Sequence, residues 1–237
     1  KTAFEKSNKL VKQLPNNSFV HNLAGLALLQ SGNVKISISY FQKAIDLNNN
    51  NIAPKNNLSN AYKILGKFDL SIKIYEDILN HDPKNIKCLN NYANLKQQLN
   101  DFDGAINLYN EALNIEPKNT IILTSLASSY NSLGKFNKAL ELLDKILDIN
   151  PNAMTAHKIK SSLINYKKNK EHLNVMLKLI SQKDLNFQQN SDLNFAIGKA
   201  YEDIEDYEKS FKYFNIANIS KNKNLNFQFK IEEKFFN

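Results

Sequence analysis

Pairs of apolar helical stripes, each pair split by a short polar turn, recur along this chain at a constant interval. In residues 52–85 the first stripe runs from Ile52 to Leu65 and breaks at Gly66; the second runs from Asp69 to Asn80 and stops at Asp82-Pro83. Proline ends a helix because it has no amide proton to donate and it restrains the residue before it. The step from Pro83 to Pro117 is the same as that from Pro117 to Pro151. Gly32, Gly66 and Gly134 keep that step too, with Asn100 in the vacant glycine slot. Phe68, Phe102 and Phe136 hold the same register, and so do Tyr75 and Tyr109. A period of this length signals a solenoid of helix pairs.

Two columns of small residues mark close helix crossings: Gly25, Ser59, Ala93, Ala127 and Gly198, then Ser37, Ser71, Ala105, Ala139 and Ser210. Four positions after the second column stand Phe41, Tyr75, Tyr109, Leu143 and Phe214, so that small faces large. The dividing turns read SGN, LGKF, NDF, LGKF and EDY. Helix, turn and helix at this period, with these columns, resembles the tetratricopeptide repeat. The resemblance implies an all-α fold, a right-handed α-solenoid of antiparallel helix pairs. Its expected frames are a partial repeat at 1–17 holding only a second helix, complete repeats at 18–51, 52–85, 86–119, 120–153 and 191–224, and a divergent repeat at 154–190.

The divergent frame is longer than the others, lacks a closing proline and puts Lys160 in the column of Leu58, Tyr92, Leu126 and Ile197. Leu173, Leu177 and Ile180 are expected on one face of its second helix. Residues 225–237 carry Leu225, Phe227, Phe229 and Ile231 in alternation, then Phe235 and Phe236. They suit either a cap on the last repeat or a link to a further domain, and the chain reads as a piece of a larger polypeptide. Truncating Phe136, a turn aromatic, to Ala is expected to cost about 3 kcal/mol if the ring is buried.

Composition narrows the chemistry. All 31 basic residues are Lys, and Asn occurs 38 times, which points to a low-GC, bacterial genome and warns that Asn and Lys can stand at positions for codon reasons alone. The net charge of +8 raises the question of nucleic acid. The lack of Arg for bidentate phosphate or guanine contacts, and the interleaving of Lys with Asp and Glu, argue against it. A single cysteine, Cys88, excludes an internal disulfide and suits a reducing compartment, so a cytoplasmic location is expected. No apolar run reaches the roughly 18 residues of a membrane helix.

Gly residues are too far apart for GxGxxG or a Walker loop. His21, His81, His157 and His172 show no helical metal spacing and read as isolated side chains. The carboxylates at Asp101 and Asp103, and at Glu202, Asp203, Glu205, Asp206 and Glu208, fall at turns, where capping explains them. The expectation is a chain with no catalytic residue, no cofactor and no metal.

The family resemblance implies a groove lined by first helices that holds a peptide or partner protein. The matching columns here are Asn22, Leu26 and Leu29; Asn56, Asn60 and Lys63; Asn90, Asn94 and Gln97; and Thr124, Ser128 and Asn131, with Asn57 and Asn91 flanking them. Positions 22, 23 and 26, then 56, 57 and 60, then 90, 91 and 94 hold seven Asn in nine slots. This resembles the asparagine ladder of the repeat arm in O-GlcNAc transferase; the codon bias is the competing explanation. An amide offers donor and acceptor together and can pair with an extended backbone whatever its sequence. Lys63 and Lys87 are candidates for the family's chaperone-binding carboxylate clamp, but the set is incomplete. The stretch from Phe195 to Lys223 resembles the final repeat of bacterial repeat–sulfotransferase fusions. That resemblance implies a substrate-recruiting arm for a PAPS-dependent domain, possible only beyond residue 237, so no catalytic residue carries over.

Overall fold

The computed structural model describes residues 3–181 and 185–225, and these form thirteen α-helices and no strand. They belong to two compact units, residues 1–117 and 118–237. The first unit holds α1 (Ala3–Gln13), α2 (Ser18–Gln30), α3 (Val34–Leu47), α4 (Ile52–Ile64), α5 (Phe68–His81), α6 (Ile86–Gln98) and α7 (Phe102–Ile115). The second holds α8 (Thr120–Ser132), α9 (Phe136–Ile149), α10 (Met154–Leu163), α11 (Glu171–Ile180), α12 (Phe187–Asp203) and α13 (Tyr207–Leu225). The apolar alternation expected beyond Leu225 lies outside the described residues.

Most first helices start on an asparagine. Asn17, Asn51, Asn85 and Asn119 accept backbone bonds from Val20, Ala53, Cys88 and Ile122, which satisfies amide groups that the first turn leaves without a partner. Asn186 does the same for α12 and forms a reciprocal capping box with Gln189. At α10 the equivalent position is Ala153, which makes no side-chain cap.

The turns inside the helix pairs need a left-handed residue. Gly32, Gly66 and Gly134 have φ of 81°, 72° and 69°, and Asn100 and Glu205 take the same conformation at 61° and 65°. The chain can then reverse so that the amides of Asn33, Lys67, Asp101, Lys135 and Asp206 reach back to the carbonyls of Leu28, Tyr62, Lys96, Tyr130 and Tyr201, at 2.9–3.0 Å. Asparagine replaces glycine at position 100 because it tolerates this region better than other side-chain-bearing residues.

The two helices of a pair pack small against large. A Cβ on Gly25 would lie 2.5 Å from the Phe41 ring, and one on Gly198 would lie 2.8 Å from Phe214. Between α4 and α5 the small residues are serines: Ser59 Oγ donates to the Ser71 carbonyl at 2.8 Å and Ser71 Oγ donates to the Ser59 carbonyl at 3.0 Å. Residues 59 and 71 lie on either side of the Gly66 turn, so the pair is antiparallel. Phe41, Tyr75, Tyr109 and Leu143 are fully buried at these crossings.

The structure places three of the features singled out in the sequence. Phe136 opens α9 and is 51% exposed, whereas Phe68, which opens α5, packs partly buried against the Tyr75 cluster. Its truncation should cost about 1 kcal/mol, not 3. The buried face of α11 is Leu173, Met176 and Leu179, with Leu177 and Ile180 packed at its edge. Lys160 stays half-buried in its apolar column by pairing with Asp144 of α9.

Replacing Gly25 by Ala is expected to cost about 2 kcal/mol in urea unfolding, because the Phe41 ring is fully enclosed and cannot swing away. Adding Phe41→Leu should recover part of the loss. An unchanged midpoint for Gly25→Ala would show that the crossing is looser than the packing described.

Candidate functional site

Along α4, residues 56, 60 and 63 share one face, and along α6 residues 90, 94 and 97 do the same, because three- and four-residue steps return to the same side of a helix. The opposite side of α4, with Lys55, Leu58 and Tyr62, lines an open pocket of about 420 Å³ against α3 and α5. The row on α4 therefore lies away from that pocket.

The structure divides the candidate residues into two groups. In the first group the side chain already has a partner. Asn57 Nδ2 donates to Asn22 Oδ1 at 2.8 Å, a buried bond that ties α4 to α2. The Tyr109 hydroxyl lies 2.6 Å from Asn94 Oδ1 and 3.2 Å from Gln97 Oε1. In α8, Thr124 and Ser128 turn their hydroxyls back to the carbonyls of Thr120 and Thr124. These groups position the helices.

The second group is Asn56, Asn60, Asn90, Asn91 and Asn131, whose side chains make no hydrogen bond to a described residue, and Lys63, a half-buried cation without an ion pair among the described residues. Burial pulls the Lys63 ammonium below its ordinary pKa. Asn56 is 2% exposed, and both Asn56 Oδ1 and Asn90 Oδ1 are buried without a donor. The Tyr75 hydroxyl is also left over: it ends beside the Ser59 and Ser71 hydroxyls, which are turned to each other, and burial pushes its pKa up to about 12. A buried carbonyl without a donor is costly. Those atoms are closed to solvent, whereas the half-buried Asn60 and Asn91 side chains can exchange hydrogen bonds with an added chain.

The second unit has its own open pocket of about 410 Å³ between α8, α10 and α12, with Ile121, Thr124 and Met154 among its walls. At its edge the buried Asp192 accepts from Lys158 Nζ at 2.8 Å, Gln188 Nε2 at 3.0 Å and Thr155 Oγ1 at 3.0 Å.

The histidines depart from the isolated reading. His157 and His172 are stacked, with His157 Nδ1 2.8 Å from His172 Nε2. His157 Nε2 sits 2.9 Å from the Pro151 carbonyl, which can only accept, and His172 Nδ1 sits 2.6 Å from the hydroxyl of the buried Tyr166. The set is satisfied with both rings neutral and every proton pointing the same way, from Tyr166 through His172 and His157 to Pro151. The long gap in sequence between the two histidines hid this, since it crosses a turn. A legible clue was the repeated proline–histidine step: His21 follows Pro15 as His157 follows Pro151, and His21 Nε2 meets the Pro15 carbonyl at 2.8 Å in the same way.

No other reactive grouping appears among the described residues. Cys88 is buried, and burial pushes its thiol pKa up to about 12, far from a nucleophile's range. The turn carboxylates pair with lysines, as in Asp203 with Lys199, Glu205 with Lys167 and Asp206 with Lys209. No cluster of three or more metal-ligating side chains occurs among the described residues.

These environments set how stability responds to acid and to truncation. Burial above all, then the neighbouring His157 and Lys160, push the His172 pKa from 6.5 down to about 3, and burial lowers His157 as well. The unfolded chain therefore binds protons that the folded one refuses, so stability is full above pH 6.5 and falls as pH drops towards 3. At pH 5 the loss from His172 should be about 2 kcal/mol at most, read from urea unfolding by circular dichroism, and His172→Gln should flatten it. Separately, Asn57→Ala should cost about 1–2 kcal/mol by stripping Asn22 of its donor, while Asn56→Ala should cost less because it removes a carbonyl that has none. Equal costs would contradict the division into used and unused amides.

No curated protein matches the chain at the sequence level. Among solved structures 322 chains match, so the fold is too widespread to specify an activity. A structure reported in a functional characterisation of Pseudomonas aeruginosa pilF has a TM-score of 0.67 at 19% identity, covering 83% of this chain and 88% of that one. A tetratricopeptide repeat protein of Parabacteroides merdae has a TM-score of 0.62 at 15% identity, covering 93% and 91%. YrrB, described as a tetratricopeptide repeat protein with an unusual peptide-binding site, has a TM-score of 0.54 at 14% identity, covering 89% and 98%. At these identities the likeness concerns the fold. Two family models, both described as tetratricopeptide repeat, match residues 96–163 and residues 20–51, 54–85 and 191–218, more than half of the chain. With the small-against-large crossings and the left-handed turns already in place, the chain belongs to the tetratricopeptide repeat family.

Proposed function

We propose that this chain is a non-catalytic scaffold that binds an extended peptide or partner protein on the first-helix faces of its repeats, framed as 18–51, 52–85, 86–119, 120–153, 154–190 and 191–224. The observation that carries it is the set of partly exposed amides on α4 and α6, Asn60, Asn90 and Asn91, whose side chains meet no described residue. An extended peptide supplies amide protons and carbonyls at the spacing of a strand, which is what unused amides can pair with. The peptide-binding site attributed to YrrB supports the same use of the fold. On the second unit, Thr124, Ser128 and Asn131 border the equivalent face of α8.

A reducing, cytoplasmic setting suits the buried single cysteine and belongs to the same proposal. No helix among the described residues is long and apolar enough to cross a membrane. The sulfotransferase resemblance rests on Phe195–Lys223 alone, a segment that largely coincides with the repeat match at 191–218.

The test is selection of random twelve-residue peptides displayed on phage, followed by anisotropy of a labelled selected peptide. The triple variant Asn60→Ala, Asn90→Ala, Asn91→Ala should bind that peptide 10- to 100-fold more weakly with an unchanged melting midpoint, at about 1 kcal/mol per bond. Unchanged affinity would place the binding surface elsewhere.

A further inference from the structure

Two neighbouring repeats of the first unit differ at a buried position that decides how far a side chain reaches. Residue 58 of α4 and residue 92 of α6 occupy the same place in frames 52–85 and 86–119. Tyr92 extends to the second helix before it: its ring stacks on Tyr75 at 5.6 Å and its hydroxyl donates to Glu76 Oε1 at 3.2 Å. Leu58 meets Phe41, the counterpart of Tyr75, but brings neither ring nor hydroxyl towards Gln42, the counterpart of Glu76.

The space on that side of α4 is the open pocket of about 420 Å³ between α3, α4 and α5. Its walls are mainly apolar: Ile45 from α3, Leu58 and Tyr62 from α4, Leu70 and Ile74 from α5. Leu70 is 41% exposed there, so part of this apolar wall stays in contact with water. Volume and lining match those of small-molecule sites, which are concave, mostly apolar and carry a few placed polar groups.

The polar groups of the pocket set the chemistry of its occupant. Lys55 and Asp77 neutralise each other at 3.2 Å. Gln42 donates Nε2 to Asp46 Oδ1 at 3.2 Å, which leaves its Oε1 as an acceptor without a donor among the described residues. Lys73 is exposed and has no ion pair among the described residues. The pocket therefore offers one acceptor on α3 and one uncompensated cation on α5 beside its apolar walls.

From this arrangement we infer that the pocket is a site for a hydroxylated aromatic acid, a small molecule whose ring takes the place that the Tyr92 ring holds one repeat later, whose hydroxyl donates to Gln42 Oε1 and whose carboxylate lies against Lys73. Burial of the ring supplies most of the affinity. Lys73 supplies the preference for an anion and, being exposed, a contact that weakens with salt. The site is separate from the peptide-binding face, since Asn60, Asn90 and Asn91 are not among its walls.

The experiment uses the full chain and para-hydroxycinnamate, titrated by ligand-observed NMR. The probe should saturate one site with a Kd below about 1 mM. Cinnamate, without the hydroxyl, and para-hydroxycinnamamide, without the charge, should each bind several-fold more weakly. Leu58→Tyr gives this repeat the side chain of the next and should weaken the probe at least tenfold; if that variant does not fold, Leu70→Trp at the exposed wall carries the same expectation. Lys73→Gln should bring para-hydroxycinnamate down to the affinity of its amide and leave the amide unchanged. The Asn60→Ala, Asn90→Ala, Asn91→Ala variant should bind the probe as the unmodified chain does. Absence of saturable binding, or affinity that the wall substitutions leave unchanged, overturns the site. Equal affinity for the acid and its amide, or equal losses of both with Lys73→Gln, overturns the anion preference, and cinnamate bound as tightly overturns the Gln42 contact. A loss in the asparagine variant moves the probe to the peptide-binding face and overturns this pocket as its site.

Discussion

The close crossing of the two helices in each pair is the constraint from which the rest follows. It requires a residue with little or no side chain opposite a large one, as in Gly25 under Phe41 and Gly198 under Phe214. Ser59 under Tyr75 adds reciprocal serine bonds at the same point, so the backbone carbonyls there stay satisfied in the core. A crossing this tight leaves little chain for the reversal, which is why a left-handed conformation recurs at 32, 66, 100, 134 and 205. Once the pair is locked, the first helix has one face in the core and another that the second helix cannot cover.

Besides filling the turn at position 100, asparagine does three jobs in this chain that composition alone does not separate. At 17, 51, 85, 119 and 186 it caps first helices. At 22 and 57 it stitches neighbouring first helices through a buried amide pair. At 56, 60, 90 and 91 its side chain makes no hydrogen bond to a described residue, and at 56 and 90 its carbonyl is buried and unmet. The second use limits the third. A ladder in which every amide was available would leave α2 and α4 without this tie, and a buried polar group without a partner costs more than the net gain of a formed bond.

The repeat at 154–190 shows what happens when the rules lapse together. It has no asparagine cap, since Ala153 stands there, and its turn places Tyr166 in the core in place of a left-handed residue. The His157–His172–Tyr166 chain of hydrogen bonds replaces the usual turn geometry, and Asp203 of α12 meets the Tyr166 amide. Aromatic stacking and directed hydrogen bonds hold these helices where elsewhere backbone reversal suffices. Such a device works with neutral rings, so it ties the integrity of this repeat to pH in a way that a glycine turn does not.

The sequence by itself determined the helix pairs, their turns and their crossings, because period, small columns and left-handed slots are local or repeat at constant spacing. Asn100 and the Gly25–Phe41 pairing were legible before any coordinates. The exposure of Phe136 was not legible, because a repeating column says that a side chain recurs, not how deeply it is covered. His157 and His172 were missed because a long stretch of sequence and a turn separate groups that end 2.8 Å apart. For the candidate site, the columns named the residues on the first-helix faces but could not tell Asn57, engaged with Asn22, from Asn60, engaged with nothing described. Which amides and lysines stay unpaired depends on distances between helices, and only the tertiary packing sets those.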